Sequence, residues 1–418
     1  MSASNAFSLS VDIAVVGRGA IGATAALALA RLGRSVALIG PDSNDGPRPA
    51  PGFDVRVFAI STASATLLRS LGVWQALDPA RHQSVQRMLV RPSPSATSPA
   101  LEFDAWQASL ESLASIVEGG ELARVLGEAL RFSSVKVLDA AASGFECGDA
   151  GHAVLSLADG RRVQARLVVA ADGAQSPVRS LAGIDARFRD YGQRAIVGSF
   201  LSAKPHRDTA FQWFGEHGIL ALLPLPSAAS DSATGHRGRI SIVWSAPEDL
   251  AAEVLAESPA ALAERLMRLS GHALGELAPL SPVAAYPLRL GRVDSMIASR
   301  LALVGDAAHV VHPLAGQGMN LGFGDVASLR DALDGAIDPG VRTVLRRYER
   351  SRAEPVLAMR LVTDGLQRLF DPRRLAPLGP LAAPLITVRD LGWRLVASST
   401  LLRRQLVAHA SRRQGGPG

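Results

Sequence analysis

Cysteine is almost missing from this chain: Cys147 is the one example in 418 residues. That excludes an internal disulfide and a multi-cysteine metal cluster, and the lone thiol reads as a loop residue rather than a nucleophile. Lysine is nearly absent as well. Lys136 and Lys204 are the two among 44 basic residues, so the positive charge is carried by arginine. Aromatics make up 5% of the chain and are not interleaved with the basic residues, which argues against a nucleic-acid module. No window approaches 18 uninterrupted apolar residues, so no membrane-crossing helix is expected. The first ten residues lack the basic start and apolar run of a signal peptide. A cytoplasmic protein fits all of this.

What is there is an ordinary globular balance, 48% hydrophobic and 20% charged, in a chain long enough to bury a large core as one two-lobed body or two domains. The net charge of +6 is unevenly placed. From residue 341 onward there are 15 Arg against 5 acids, a net +10, while the first 340 residues carry 29 basic and 33 acidic groups. An Arg-rich end can rest on an anionic membrane surface, making the protein peripheral on the inner membrane, or dock a partner; most such arginines form solvated helical faces.

The opening pattern is an apolar run at 11–16, "GRGAIG", an alanine- and leucine-rich helical stretch and "GRSVALI". That is strand, glycine turn, helix, strand, the start of a dinucleotide-binding fold. Helical patterns also fill 61–77, 120–130 and 259–270. Alternating strands dominate 135–169, with a hairpin cue at "ADGRR". The segments "AIVGSFL", "AFQWFG", "ILALLPL" and "RISIVWS" read as antiparallel strands between 195 and 245. The expected architecture is α/β: a Rossmann-like lobe of discontinuous segments, an inserted, mostly antiparallel β-sheet substrate lobe, and a C-terminal helical tail. The expected boundaries are 1–184 for the first part of the cofactor lobe, with a small excursion into the substrate lobe near 78–104. The substrate lobe takes 185–285, the second part of the cofactor lobe 286–340, and the Arg-rich helical region 341–418.

Gly17, Gly19 and Gly22 form G-x-G-x-x-G. The first glycine permits a tight turn, the second lets backbone amides approach a pyrophosphate, and the third lets the helix pack on the strand. The helix N-terminus then offers unpaired donors and partial positive charge. An acid should end the second strand to hold a ribose hydroxyl pair, but Gly40 stands there. Asp42, two residues on, either reaches the ribose or caps the loop.

Three more segments carry the chemistry: "DVRVFAIS" at 54–61, "LVVAADGAQSPVR" at 167–179, and "GDAAHVVHPLAGQGMN" at 305–320. Together and in this order they resemble the flavoprotein aromatic hydroxylases related to p-hydroxybenzoate hydroxylase, and more closely the ubiquinone-biosynthesis hydroxylase family. The resemblance runs from about residue 11 to about 370. It implies a FAD cofactor, NAD(P)H as a transient reductant and O₂ as co-substrate. It also implies a flavin C4a-hydroperoxide that hydroxylates a polyprenylated phenol or quinol on the way to ubiquinone, so no protein nucleophile is expected. Asp306 then accepts from ribityl hydroxyls beside Gly305. Gly316 and Gly318 let a flat ring lie against bare backbone, within the run Gln317, Gly318, Met319, Asn320. A helix starting there points positive potential at the flavin pyrimidine edge.

The same resemblance places Arg56, Arg124, Asp172 and Gly173 near the flavin, and His312 and Pro313 in its pocket. Each has a plainer reading: a solvated arginine, a surface helix residue, an Asp-Gly turn, a loop. His309 and His312 are spaced H-x-x-H but lack a third ligand, so no metal site is expected. Phe211, Trp213, Leu222, Leu223 and Pro224 are candidates for the apolar wall around the substrate ring, or ordinary sheet core. Two rivals share the fold: a hydroxylase of another phenol or pigment precursor, and a FAD-binding assembly protein without activity.

Overall fold

A computed structural model describes residues 8–41, 54–92, 99–148, 151–228, 231, 235–311, 317–370 and 393. The chain opens with β1 (Leu9–Val16), α1 (Ala20–Ala30) and β2 (Val36–Ile39). Next come β3 (Val57–Ile60), α2 (Thr62–Ser70), β4 (His82–Val85), β5 (Arg87–Arg91), β6 (Leu101–Asp104), β7 (Ala114–Glu118) and α3 (Gly119–Arg131). Strands β8 (Lys136–Leu138), β9 (Ala142–Cys147), β10 (Ala153–Leu157) and β11 (Arg162–Ala170) lead to the short α4 (Pro177–Leu181). Then follow β12 (Ala186–Ser202), β13 (Thr209–Gly215), β14 (Gly218–Leu225), β15 (Gly238–Pro247), α5 (Glu248–Ala256) and α6 (Pro259–Leu269). The chain continues through β16 (Leu277–Pro279), β17 (Ala284–Val293), β18 (Ile297–Ala298), β19 (Leu301–Leu303) and β20 (His309–Val310) to α7 (Gln317–Leu333) and α8 (Arg342–Phe370).

One sheet has the order β18–β19–β11–β1–β2–β8, with β10 and β9 added beyond β11. From β19 to β8 the strands are parallel, and Leu303, Ala170, Val16, Ile39 and Leu138 are level across them. Such a sheet buries both faces. Ile13 to Val16 of β1 and the whole of β2 are accordingly buried. Helix α1 has no polar stripe and is buried from Gly22 to Leu29, as a helix apolar all round must be.

The second sheet runs β20–β17–β12–β15–β14–β13–β5–β6, with β16 on β12. Its pairings are antiparallel except β13 with β5. It therefore draws on 87–104, 186–293 and 309–310, reaching past residue 285. Helices α5 and α6 cover one face, burying Trp213, Leu220, Leu222, Ile242 and Trp244 beneath them. A small sheet, β3–β7–β4, touches β14 of this sheet on one side and α3 and α7 of the first lobe on the other.

Two local readings change. The helix expected over 61–77 ends at Ser70, because Gly72 takes a left-handed φ of +79° and turns the chain out. Helix α5 is additional to the expected elements; Glu248 and Asp249 in its first turn are the available signal. Of the expected C-terminal helical region, α8 is described to Phe370; the proline-broken part beyond lies outside the described residues, apart from Trp393, which packs beside Phe214 and Ile219.

Candidate cofactor site

The level ends of the parallel strands place their outgoing turns along one edge, where ligands of open α/β sheets bind. Each turn is bonded to the next strand: Gly17 N–H donates to Ile39 O, Ala171 N–H to Val16 O, and Val304 N–H to Ala170 O. The three glycines of the first turn have separate causes. A Cβ on Gly17 would sit 2.2 Å from Ala171 O, and one on Gly22 1.8 Å from Gly17 O. Packing alone therefore demands both. Gly19 is different. Its φ of −67° suits any residue, and no atom lies within 4 Å of where its Cβ would be. Nothing among the described residues requires glycine there. A group lying against the N-terminus of α1 would, since the first-turn amides have no partner within the helix.

The second turn carries Asp172 and Gly173. Asp172 Oδ2 accepts from Val178 N–H at 3.1 Å, while Oδ1 is buried without a partner among the described residues. Burial pushes this carboxyl above its usual range, against the hydrogen bonds from Ser176 and Val178. An orphaned buried oxygen is expensive, and a ligand hydroxyl would satisfy it. Gly173 has φ +87° and open space at its Cβ position.

The third turn is held from below. Gly305, at φ +61°, donates its N–H to Asp325 Oδ2 at 2.8 Å. His309 Nε2 lies 2.7 Å from the same oxygen. Arg352 Nε reaches Asp325 Oδ1 at 2.7 Å, and its Nη2 donates to Leu321 O. All three side chains are buried. Burial alone would raise the Asp325 carboxyl; the His309 and Arg352 charges and the donors around it outweigh that and lower it. Tyr348 adds a hydrogen bond from its hydroxyl to Leu303 O. Arg179, buried in α4 just past the second turn, donates to Ala307 O at 3.0 Å and ties that helix to the third turn. Sequence reasoning does not single out Asp325, Tyr348 or Arg352 as site residues. The readable signal is the i, i+4 pair Tyr348 and Arg352 on one helix face, pointing back at the aspartate of the same glycine-rich stretch.

Asp306 is open to solvent, although protein packs closely around its carboxyl. Desolvation by the surrounding walls raises its carboxyl, His309 opposes this and Asp325 adds to it. Gly318 sits in the first turn of α7 with nothing within 4 Å of its Cβ position. Alanine would be the better helix former there, and no contact among the described residues demands glycine. Met319 packs on the core of the first lobe. The side chain of Asn320 is committed elsewhere: Oδ1 accepts from Ser61 N–H at 2.8 Å and Nδ2 donates to Ala59 O at 2.7 Å. It clamps the "DVRVFAIS" segment to α7.

Arg56 is 63% exposed at the strand entrance, where Asp54 caps the start of α3 through Gly120 N–H. Arg124 does not point its guanidinium to open space: Glu121, Glu128 and Ala76 O take it up. Asp42, His312, Pro313 and Gly316 lie outside the described residues, and of Gln317 only the backbone is described. Among the wall candidates, Trp213 and Leu222 belong to the core under α5 and α6, and Phe211 packs on it, stacked on Trp213. Pro224 is buried. Leu223 alone packs on the other face, with Val85, Ile116 and Leu225.

An amide-lined helix start, two carboxylates and bare backbone at Gly19, Gly173 and Gly318 fit a dinucleotide with a flat redox ring. The fold and site define a flavin-dependent oxidoreductase. A family model described as FAD binding domain matches residues 10–362, and the chain belongs to this family of FAD-binding monooxygenases. It is 35% identical to the ubiquinone hydroxylase UbiL of Rhodospirillum rubrum, covering 96% of this chain and 89% of that one. It is 32% identical to the 3-demethoxyubiquinol 3-hydroxylase of Escherichia coli, covering 96% and 98%. Its fold matches p-nitrophenol 4-monooxygenase PnpA of Pseudomonas putida with a TM-score of 0.74 at 19% identity, over 98% and 100% of the two chains. Klebsiella pneumoniae HpxO, solved with FAD and uric acid, matches at 0.70 and 19%, over 97% of each chain.

Proposed function

We propose that this enzyme hydroxylates the aromatic ring of a polyprenylated phenol or quinol in ubiquinone biosynthesis, using NAD(P)H as a transient reductant and O₂. The observation that carries the reading is near-full-length similarity to two relatives named as hydroxylases of that pathway. FAD, when bound, supplies the activation of oxygen. The chain's residues then have the following parts. The first-turn amides beyond Gly19 hold the diphosphate. Asp172 and Asp306 accept from ribityl hydroxyls. The start of α7, from Gly318, stabilises negative charge on the pyrimidine edge. Gly305, Gly173 and the segment 312–317, with His312, Pro313, Gly316 and Gln317, complete the flavin pocket. Met319 and Asn320 fix α7, and Arg124, braced by Glu121 and Glu128, faces the cofactor from α3. Arg56 stands exposed where the reductant would enter.

In the same reading, residues 1–184 and 286–340 make the cofactor lobe and 185–285 the substrate lobe, extended by β5, β6, β17 and β20. The ring is held by the sheet face that carries Leu223, with Phe211, Trp213, Leu222 and Pro224 as its backing layer. No described helix is long and apolar enough to cross a membrane; the Arg-rich region from 341 on meets the lipid that stores the prenylated substrate. The test is deletion of the gene followed by mass analysis of quinones. Accumulation of a prenylated ring one hydroxyl short supports the reading; a normal quinone profile, with small phenols turned over in vitro, contradicts it.

A further inference from the structure

The adenosine end of the cofactor site departs from the usual arrangement. Where an acid normally closes the second strand, Gly40 follows β2, and the space belongs to Arg18. A Cβ on Gly40 would lie 3.2 Å from Arg18 Cγ and 3.3 Å from Arg18 N. The guanidinium passes Gly40 O at 3.5 Å and reaches Asp139, 3.8 Å away. Asp139 follows β8, whose Leu138 is level with Ile39 and accepts from Gly40 N–H. Arg18 is one-fifth exposed and Asp139 seven-tenths. The side chain is thus laid across the strand end rather than waving into solvent, and an acid at position 40 would push it away. The arginine and the acid are alternatives for one place.

We propose that Arg18 is an adenosine-binding residue of this enzyme, occupying the strand end where an acid is usual, with Asp139 as the group that orients it. The proposal rests on the FAD reading of the site. Ribose hydroxyls accept as well as donate, so a guanidinium that donates to their oxygens can replace a carboxylate that accepts from them. The planar guanidinium can also stack on adenine, which a carboxylate cannot. Its position between Gly17 and Gly19 brings positive charge within the same turn that takes the diphosphate. The glycine at 40 is what permits this, by leaving the strand end without a side chain.

The test is titration of the flavin-stripped full-length chain with FAD, and separately with FMN, which lacks adenosine, followed by flavin fluorescence. Arg18→Ala should weaken FAD at least tenfold and leave FMN within twofold. Arg18→Met, which keeps the stem packed over Gly40 without the donors, should behave alike and carries the test if the alanine variant folds poorly. Gly40→Ala, whose Cβ meets Arg18 Cγ at 3.2 Å, should shift Arg18 and lower FAD affinity in the otherwise unaltered protein, with less effect in the Arg18→Ala background. An Arg18→Met protein with unchanged FAD affinity overturns the inference, as does equal weakening of FAD and FMN. If the unaltered protein binds neither flavin, the FAD reading itself falls.

Discussion

The turns of the cofactor lobe and the antiparallel sheet are built on different principles. In the turns, single backbone positions decide the outcome: Gly17 and Gly22 are forced by contacts within the protein, whereas nothing among the described residues crowds Gly19 or Gly318. In the antiparallel sheet no single position decides. Strand β14 is apolar at every residue from Ile219 to Leu225, so the alternation of polar and apolar residues that usually marks which side faces what is missing. The first kind of site can be read from a string of letters; the second needs the phase of the strand, which only packing reveals.

The sharpest way to break that comparison is at the first turn. Gly22→Val should abolish folded, flavin-bound protein, because the new Cβ meets Gly17 O at 1.8 Å; flavin content and circular dichroism after purification check this. Gly19→Val should fold normally, its flavin-free melting temperature near that of the parent, but bind FAD at least tenfold more weakly. If both variants lose the fold alike, the distinction between protein-demanded and ligand-demanded glycine fails.

Next in size is the buried support of the third turn. Asp325→Ala leaves His309 and Arg352 buried without their carboxylate and should destabilise the protein by about 3–5 kcal/mol, read by denaturant unfolding. The pH dependence follows from the lowered Asp325 carboxyl. A depressed folded pKa gives stability that is present above the unfolded carboxylate value and lost as pH falls through the folded one. The parent should therefore lose stability on acidification below about pH 4, and the variant should lose less over that span.

The two faces of the antiparallel sheet come third. Trp213→Ala should cost about 3–5 kcal/mol in stability, as a buried aromatic does, while the folded fraction keeps its KM. Leu223→Ala should cost less stability and raise the KM for the prenylated substrate. Stability curves and steady-state kinetics on the two variants decide it; a KM rise from Trp213 and none from Leu223 would reverse the assignment of faces. Smallest of all is Cys147→Ser, an exposed thiol, which should leave melting temperature and turnover unchanged.

The same contrast explains what is legible in the sequence. The glycine turn at 17–22, the Asp-Gly at 172–173 and the "GDAAH" turn stand where their spacing puts them, because each needs a particular residue at a particular place. The α/β architecture with an inserted antiparallel sheet is legible from strand and helix periodicity. The support network is not: Asp325 and Arg352 are 27 residues apart and join only when α7 and α8 pack. Nor is the clamp made by Asn320, whose motif position suggests a cofactor contact while its side chain joins two protein segments. Trp213 and Leu222 look like wall residues because they are large and apolar; strand phase turns them beneath α5 and α6. Arg18 escapes notice because it is the variable letter of its motif.

The most direct test of flavin-dependent hydroxylation is turnover under isotopically labelled O₂. The purified protein is supplied with FAD, NAD(P)H and a prenylated phenol, and the product is weighed by mass spectrometry. The expected result is one labelled oxygen in each hydroxylated ring, and no product when FAD is withheld from the flavin-stripped chain. Product carrying unlabelled oxygen, or formed equally well without flavin, would contradict it.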